Sequence, residues 1–211
     1  MAAMFFLGCQ RQFINDYEKE HNRVIFHTCN GTLAIYPLSD NTVRVQFKIG
    51  DDKKPPEFVF VNHIITPDFN VAENGNIVRI SIRKLIVEVN KKDGNISFLD
   101  NTGNIILKER AGSRIMLPDS VMGEPRVFVQ QSFESPEDEF LFGLGQFQDG
   151  YHTIKGVTRR LIQVNSQISL PFIYSNKGYG LLWHQYGLTD FNPADSVIPL
   201  KKIETNTGNI D

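Results

Sequence analysis

The chain has 211 residues, enough for one domain or at most two with a substantial core. With 22 Lys and Arg against 24 Asp and Glu, its formal net charge of -2 and the lack of any basic run exclude nucleic-acid binding driven by bulk charge. No stretch reaches the roughly 18 consecutive apolar residues that a membrane-spanning helix needs. Sixteen Phe against a single Trp favour strands and sheet cores.

The first ten residues, MAAMFFLGCQ, form an apolar run that ends at Leu7-Gly8-Cys9 and turns abruptly polar. The run resembles the end of a bacterial lipoprotein signal peptide, without the positively charged segment that opens a full one. On this reading residues 1–9 are a signal remnant and Cys9 is lipidated. The protein is then an extracytoplasmic lipoprotein of a bacterium, periplasmic or on the outer membrane, and touches the membrane only through its lipid anchor. The other reading is a short apolar strand with a buried free cysteine. The second cysteine, Cys29, follows the apolar run VIFHT and is expected to be a small buried residue.

Residues 10–23 read as a linker, with Asn15–Arg23 a polar connection or a single helical turn. From Val24 onward the period is two. VIFHTC predicts a strand through Cys29, Asn30-Gly31 a hairpin turn, and TLAIYP the partner strand. In TVRVQFKI, Val43, Val45, Phe47 and Ile49 alternate with Arg44, Gln46 and Lys48, the pattern of a half-buried antiparallel strand. After the loop GDDKKPPE come short runs at near-regular spacing: EFVFV, NIVRISI, LIVEV and NISFLD, with the turn sequences ENGN and KKDGN between them. RVFVQQSF, EFLFGLG and VTRRLIQV read as further strands, and ISLPFIYS-NKG-YGLLWHQ as a last hairpin. No window of a dozen residues has a helical period. More than about ten short strands predict an all-β domain of two packed antiparallel sheets.

The glycine-spaced stretch LFGLGQFQDG allows three readings: a phosphate cradle, an ordinary sandwich connection, or the wall of a pocket for a polyhydroxylated ligand. A cradle needs a helix N-terminus, and no helical pattern follows Gly143-Leu144-Gly145. The glycines more simply allow a bulge or a close backbone approach. His21, His27 and Cys29 match no metal-ligand spacing, so no metal or cofactor is expected. The acidic residues Glu134, Glu137, Asp138 and Glu139 read as a solvated loop, and Asp149 is a carboxylate without an evident partner.

LFGLGQFQDG, then YHTIKG, then QVNSQISLPFIYSNKGYGLLWHQYG resembles the end of the N-terminal β-sandwich of family 31 glycoside hydrolases, most of all the α-xylosidase branch. GTLAIYPLSDNTVRVQF and RKLIVEVNKKDGNISFLDNTGNIIL are similar to that sandwich's first hairpins, so the resemblance runs from about Val24 to Phe191. It implies a two-sheet antiparallel supersandwich of the galactose mutarotase-like type over residues 24–200, followed by a linker over 201–211 towards a (β/α)8 barrel. The barrel of such enzymes carries two aspartates for retaining hydrolysis of α-glycosides, so the resemblance implies no catalytic residue here. It implies instead a non-catalytic domain that packs on its own C-terminal barrel and sends the segment Gln146–Gln167 to the rim of the active site. Gln146, Gln148, Asp149, Tyr151 and Lys155 are the rim candidates, since sugar hydroxyls need paired donors and acceptors and sugar rings stack on aromatics. Phe172, Tyr174, Tyr179 and Trp183 are expected in the core or an interface. The partner is then an oligosaccharide, met through the intact enzyme. A stand-alone carbohydrate-binding sandwich is the alternative; a mutarotase-like enzyme has only His184 beside Trp183 to support it.

Overall fold

The computed structural model describes residues 13–50, 57–60 and 65–192. The 1–9 leader with Cys9, the loop Asp51–Pro56 and the 201–211 tail lie outside them. Among the described residues there are seventeen strands and no helix. The chain divides into two compact units, with the boundary between Ser135 and Pro136.

The first unit opens with β1 (Ile14–Lys19), β2 (Val24–Thr28), β3 (Gly31–Ser39) and β4 (Thr42–Lys48), which pair antiparallel in that order. Residues 14–19, read from sequence as a linker or a turn of helix, are therefore an edge strand, anchored by buried Ile14 and by Tyr17 packed on the core. The first hairpin turn falls one residue earlier than its Asn-Gly signal suggests. Thr28 pairs with Gly31, so the turn is Cys29-Asn30 and Cys29 is exposed rather than buried. Gly31 is required for a different reason. A Cβ there would stand 2.2 Å from the carbonyl oxygen of Lys48 on β4, a clash with backbone.

A six-stranded antiparallel sheet follows: β5 (Asn70–Asn74), β6 (Ile77–Ser81), β7 (Leu85–Asn90), β8 (Ile96–Asp100), β9 (Ile105–Glu109) and β12 (Phe133–Glu134). The two sheets share one core. Val24, Phe26, Leu33 and Ile35 from the first meet Val78, Ile80, Val87, Val89 and Ile96 from the second, all fully buried. The strict alternation of β7, with Leu85, Val87 and Val89 inward, is what period two requires of a sheet buried on one face. EFVFV is not a strand where it is described. The Glu57 carboxylate accepts from the amides of Val59 and Phe60, and Arg44 grips it at 2.5 Å. Partial burial opposes this, yet the bonds from Arg44 and the two amides bring the Glu57 carboxyl down to about 2. The side chain has taken the donors that a ladder would use.

Between β9 and β12, β10 (Ile115–Val121) and β11 (Glu124–Gln130) form a separate two-stranded ribbon, closed by Met122-Gly123, both at positive φ (52° and 83°) as a mirror-image hairpin turn demands.

The turn from β8 to β9 hangs on Asp100. Its carboxylate accepts from the amide and hydroxyl of Thr102 and from the backbone and side-chain amides of Asn104, at 2.7 to 3.0 Å. These donors, the Thr102 hydroxyl foremost, hold the carboxyl well below its ordinary 3.8. A depressed value means that the contribution to stability is present above 3.8 and disappears as pH falls through the folded-state value. Asp100→Ala is expected to melt below wild type near pH 7, with the gap closing as the pH drops below about 4. Melting curves across that range check this; a gap independent of pH would contradict it.

Candidate functional site

The second unit is built on β13 (Leu141–Gln146), β15 (Ile168–Ser175) and β16 (Gly180–Leu182), with β14 (Arg159–Leu161) pairing β17 (Thr189–Phe191). The glycine-spaced stretch is β13 itself. Gly143, Leu144 and Gly145 all have positive φ (117°, 66° and 99°), and the register with β15 shifts between the two glycines. This bulge drives Leu144 into a core with Leu141, Ile154 and Ile173. It also brings backbone against backbone, with no helix following. The glycines serve close approach, not phosphate binding.

Residues 147–158 then loop from β13 to β14. The loop is pinned in three places. Ile154 is buried and donates its amide to the Leu141 carbonyl at 2.8 Å. Lys155 donates its ammonium to the Pro136 carbonyl. Asp149 forms an ion pair with Arg159 at 2.7 Å. Of the rim candidates, Asp149 and Lys155 thus have partners within the unit. Gln146, Gln148 and Tyr151 face solvent, Tyr151 with 61% of its surface exposed, and His152 beside it is exposed as well. These amides, a phenol and an imidazole lie in one exposed stretch of the chain, and residues of these types can donate and accept towards hydroxyl groups and stack on a ring.

The acidic segment before β13 is not uniformly solvated. Asp138 pairs with Lys177, whose hydrogen bond lowers the Asp138 carboxyl. Glu139 is only 2% exposed and accepts from the hydroxyls of Ser175 and Tyr179, each at 2.7 Å. Burial first, and then the bond to Glu139, push the Tyr179 hydroxyl far above its ordinary value. The network ties the start of β13 to the β15–β16 hairpin. Arg160 and Asp190 clasp at 2.8 and 2.9 Å across β14 and β17. Phe172 and Tyr174 do not lie in a core. They project with Leu170 from the exposed face of β15, where Tyr174 stacks on Phe142 at 5.2 Å. Tyr179 and Trp183 are half-buried.

Two features of this region were not singled out from the sequence. Glu139 sits in a run of three acidic residues that nothing local distinguishes. Arg159 is buried, and the carboxylate ten residues before it was the available signal, since a buried cation needs a partner. The first unit has an open groove of about 340 Å³ across its six-stranded sheet, lined among others by Glu88, Lys108, Glu109 and Glu134. Arg79, Arg114 and Lys108 already hold those carboxylates, and no aromatic ring lines it. Burial still raises the Glu109 carboxyl, against the pull of Arg114 at 2.5 Å.

The profile of the glycosyl hydrolase 31 N-terminal galactose mutarotase-like domain matches residues 32–192, most of both units. The chain belongs to glycosyl hydrolase family 31. An α-xylosidase from Saccharolobus solfataricus is 30% identical over 175 residues, 75% of this chain and 23% of that protein. An uncharacterized family 31 glucosidase from Pseudescherichia vulneris is 28% identical over 185 residues, 72% of this chain and 32% of that protein. The crystal structure of a family 31 α-xylosidase from Xanthomonas citri superposes with a TM-score of 0.76 at 29% identity, over 82% of this chain and 19% of that one. This family 31 domain therefore spans between 19% and 32% of the length of these relatives. The galactose mutarotase-like fold and the all-β antiparallel class expected from the sequence are those of the family.

Proposed function

We propose that this family 31 chain is the non-catalytic N-terminal domain of a retaining α-glycosidase of the α-xylosidase type, which hydrolyses oligosaccharides. The observation that carries the reading is the 30% identity to the Saccharolobus solfataricus α-xylosidase across three quarters of this chain and only 23% of that protein. In such an enzyme the domain packs on the catalytic barrel, which supplies both aspartates. The end of β13 and the loop after it contribute Gln146, Gln148 and Tyr151 to the rim of the active site, where amides and a phenol meet hydroxyl groups. Leu7-Gly8-Cys9 supports anchoring of the protein by lipid outside the cytoplasm of a bacterium.

An immunoblot of fractionated source cells reads both parts. The expected result is a band in the membrane fraction several times heavier than the 24.0 kDa of this chain, and that protein is expected to release the aglycone from 4-nitrophenyl α-D-xylopyranoside or the matching glucoside. A band at the chain's own mass would point instead to a stand-alone carbohydrate-binding sandwich. A band confined to the cytosol would remove the lipid anchor.

A further inference from the structure

Among the described residues Arg159 is the only buried cation, with 6% of its surface exposed. It is the first residue of β14, opposite Phe191. Its terminal nitrogen donates to Asp149 at 2.9 Å (Oδ1) and 2.7 Å (Oδ2), and its guanidinium carbon lies 3.9 Å from the centre of the Phe147 ring. Its Nε has no hydrogen-bond partner in the structure. A buried guanidinium with an orphaned donor, paired to a carboxylate that is 36% exposed, is a poor device for stability alone, because an apolar side chain over Phe147 avoids both the desolvation of the cation and the unpaired N–H. What the guanidinium does that an apolar side chain cannot is hold two different groups at once in a fixed geometry. Those groups, Phe147 and Asp149, are the two chain neighbours of Gln148. The next fixed point is buried Ile154. Gln148 therefore stands between two residues held by one side chain, and Tyr151 and His152 are spanned between Asp149 and Ile154.

We propose that Arg159 is the positioning residue of the rim loop: by clamping Phe147 and Asp149 it sets where Gln148 and Tyr151 stand, and so sets affinity for the glycoside without touching it. The inference rests on the function proposed above. Arg159 acts through the loop on binding, while the chemistry lies elsewhere, so its loss separates KM from kcat.

The test uses the full-length protein with whichever 4-nitrophenyl α-glycoside it hydrolyses. Arg159→Met keeps a long side chain over Phe147 and removes the ion pair. It is expected to raise KM roughly tenfold and to leave kcat within about twofold. Asp149→Asn removes the charge without changing shape and is expected to move KM the same way. Arg159→Lys, still cationic but without the planar fork, is expected to fall between Met and wild type. Chymotrypsin reads the loop without any activity. Cleavage after Tyr151 is expected to run about ten times faster in Arg159→Met, since cutting tracks local opening of the loop. An active enzyme whose KM is unmoved by all three substitutions overturns the positioning role, as does a parallel fall of kcat and melting temperature with KM unchanged. Should Arg159→Met not fold, Asp149→Asn and Arg159→Lys decide the matter. A wild type that hydrolyses neither glycoside overturns the proposed function, and the clamp then stands or falls on the chymotrypsin rates.

Discussion

Gly145→Ala is expected to destabilise the second unit by at least about 3 kcal/mol and to strip amide-exchange protection from β13 and β15. An added Cβ would lie 2.0 Å from the Ile168 carbonyl oxygen and 2.8 Å from the carbonyl carbon. Both are backbone of the paired strand, so neither can yield without opening the ladder. The residue's φ of +99° adds a conformational cost that alanine cannot avoid. Gly143→Ala is expected to behave alike, with a Cβ 2.4 Å from the Phe172 carbonyl oxygen. Gly150→Ala is the control. Its φ is also positive, at +73°, but nothing lies within 4 Å of the new atom, so the cost is only the left-handed backbone, about 1–2 kcal/mol. Denaturant titration of the three variants, with exchange measured at Ile173 and Tyr174, checks the ranking. Equal midpoints for Gly145→Ala and Gly150→Ala would refute the close-approach reading of the GLG stretch.

Phe26→Ala carries the other large effect, a loss of about 3–5 kcal/mol in the first unit. Phe26 is fully buried at the centre of the core that the two sheets share, and its ring lies 5.7 Å from that of Tyr17 on the neighbouring strand. The cavity left behind would be walled by strands of both sheets, which limits how far it can collapse. Val45→Ala is the matching mild case. Val45 belongs to the alternating face of TVRVQFKI, but β4 is the edge of its sheet and the residue is 37% exposed, so the loss is expected to stay below about 1 kcal/mol. Urea unfolding of both variants measures the contrast. Midpoints that coincide would mean the shared core is not where the stability of this unit resides.

The same contrast shows what was legible. Alternation and turn chemistry are local, and they located β6 through β8 with little error: ENGN and KKDGN turn where expected, and LIVEV is the strand it reads as, while β5 before ENGN was not read as a strand. The errors have physical causes. A polar strand such as β1 lacks alternation because it is an edge anchored at one end, so it reads as a linker. EFVFV has a strand's composition, but Glu57 captures its amides through its own side chain. The loop after β13 was legible as a polar insertion between apolar strands. Which of its charges turn inward was not.

The all-β class, the hairpins marked by turn residues and the family could be read from the residues, because each depends on neighbours in the chain or on a motif as a whole. The fate of individual groups depends on packing. Glu139 and Glu137 are two residues apart in one acidic run, yet Glu139 is buried under two hydroxyls contributed from Ser175 and Tyr179, while Glu137 is exposed. Arg159 and Arg160 are neighbours, yet one is buried on Phe147 and the other clasps Asp190 at the surface. Strand pleating sends successive side chains to opposite faces, and only the strands and loops that arrive from elsewhere in the chain determine which face is dry.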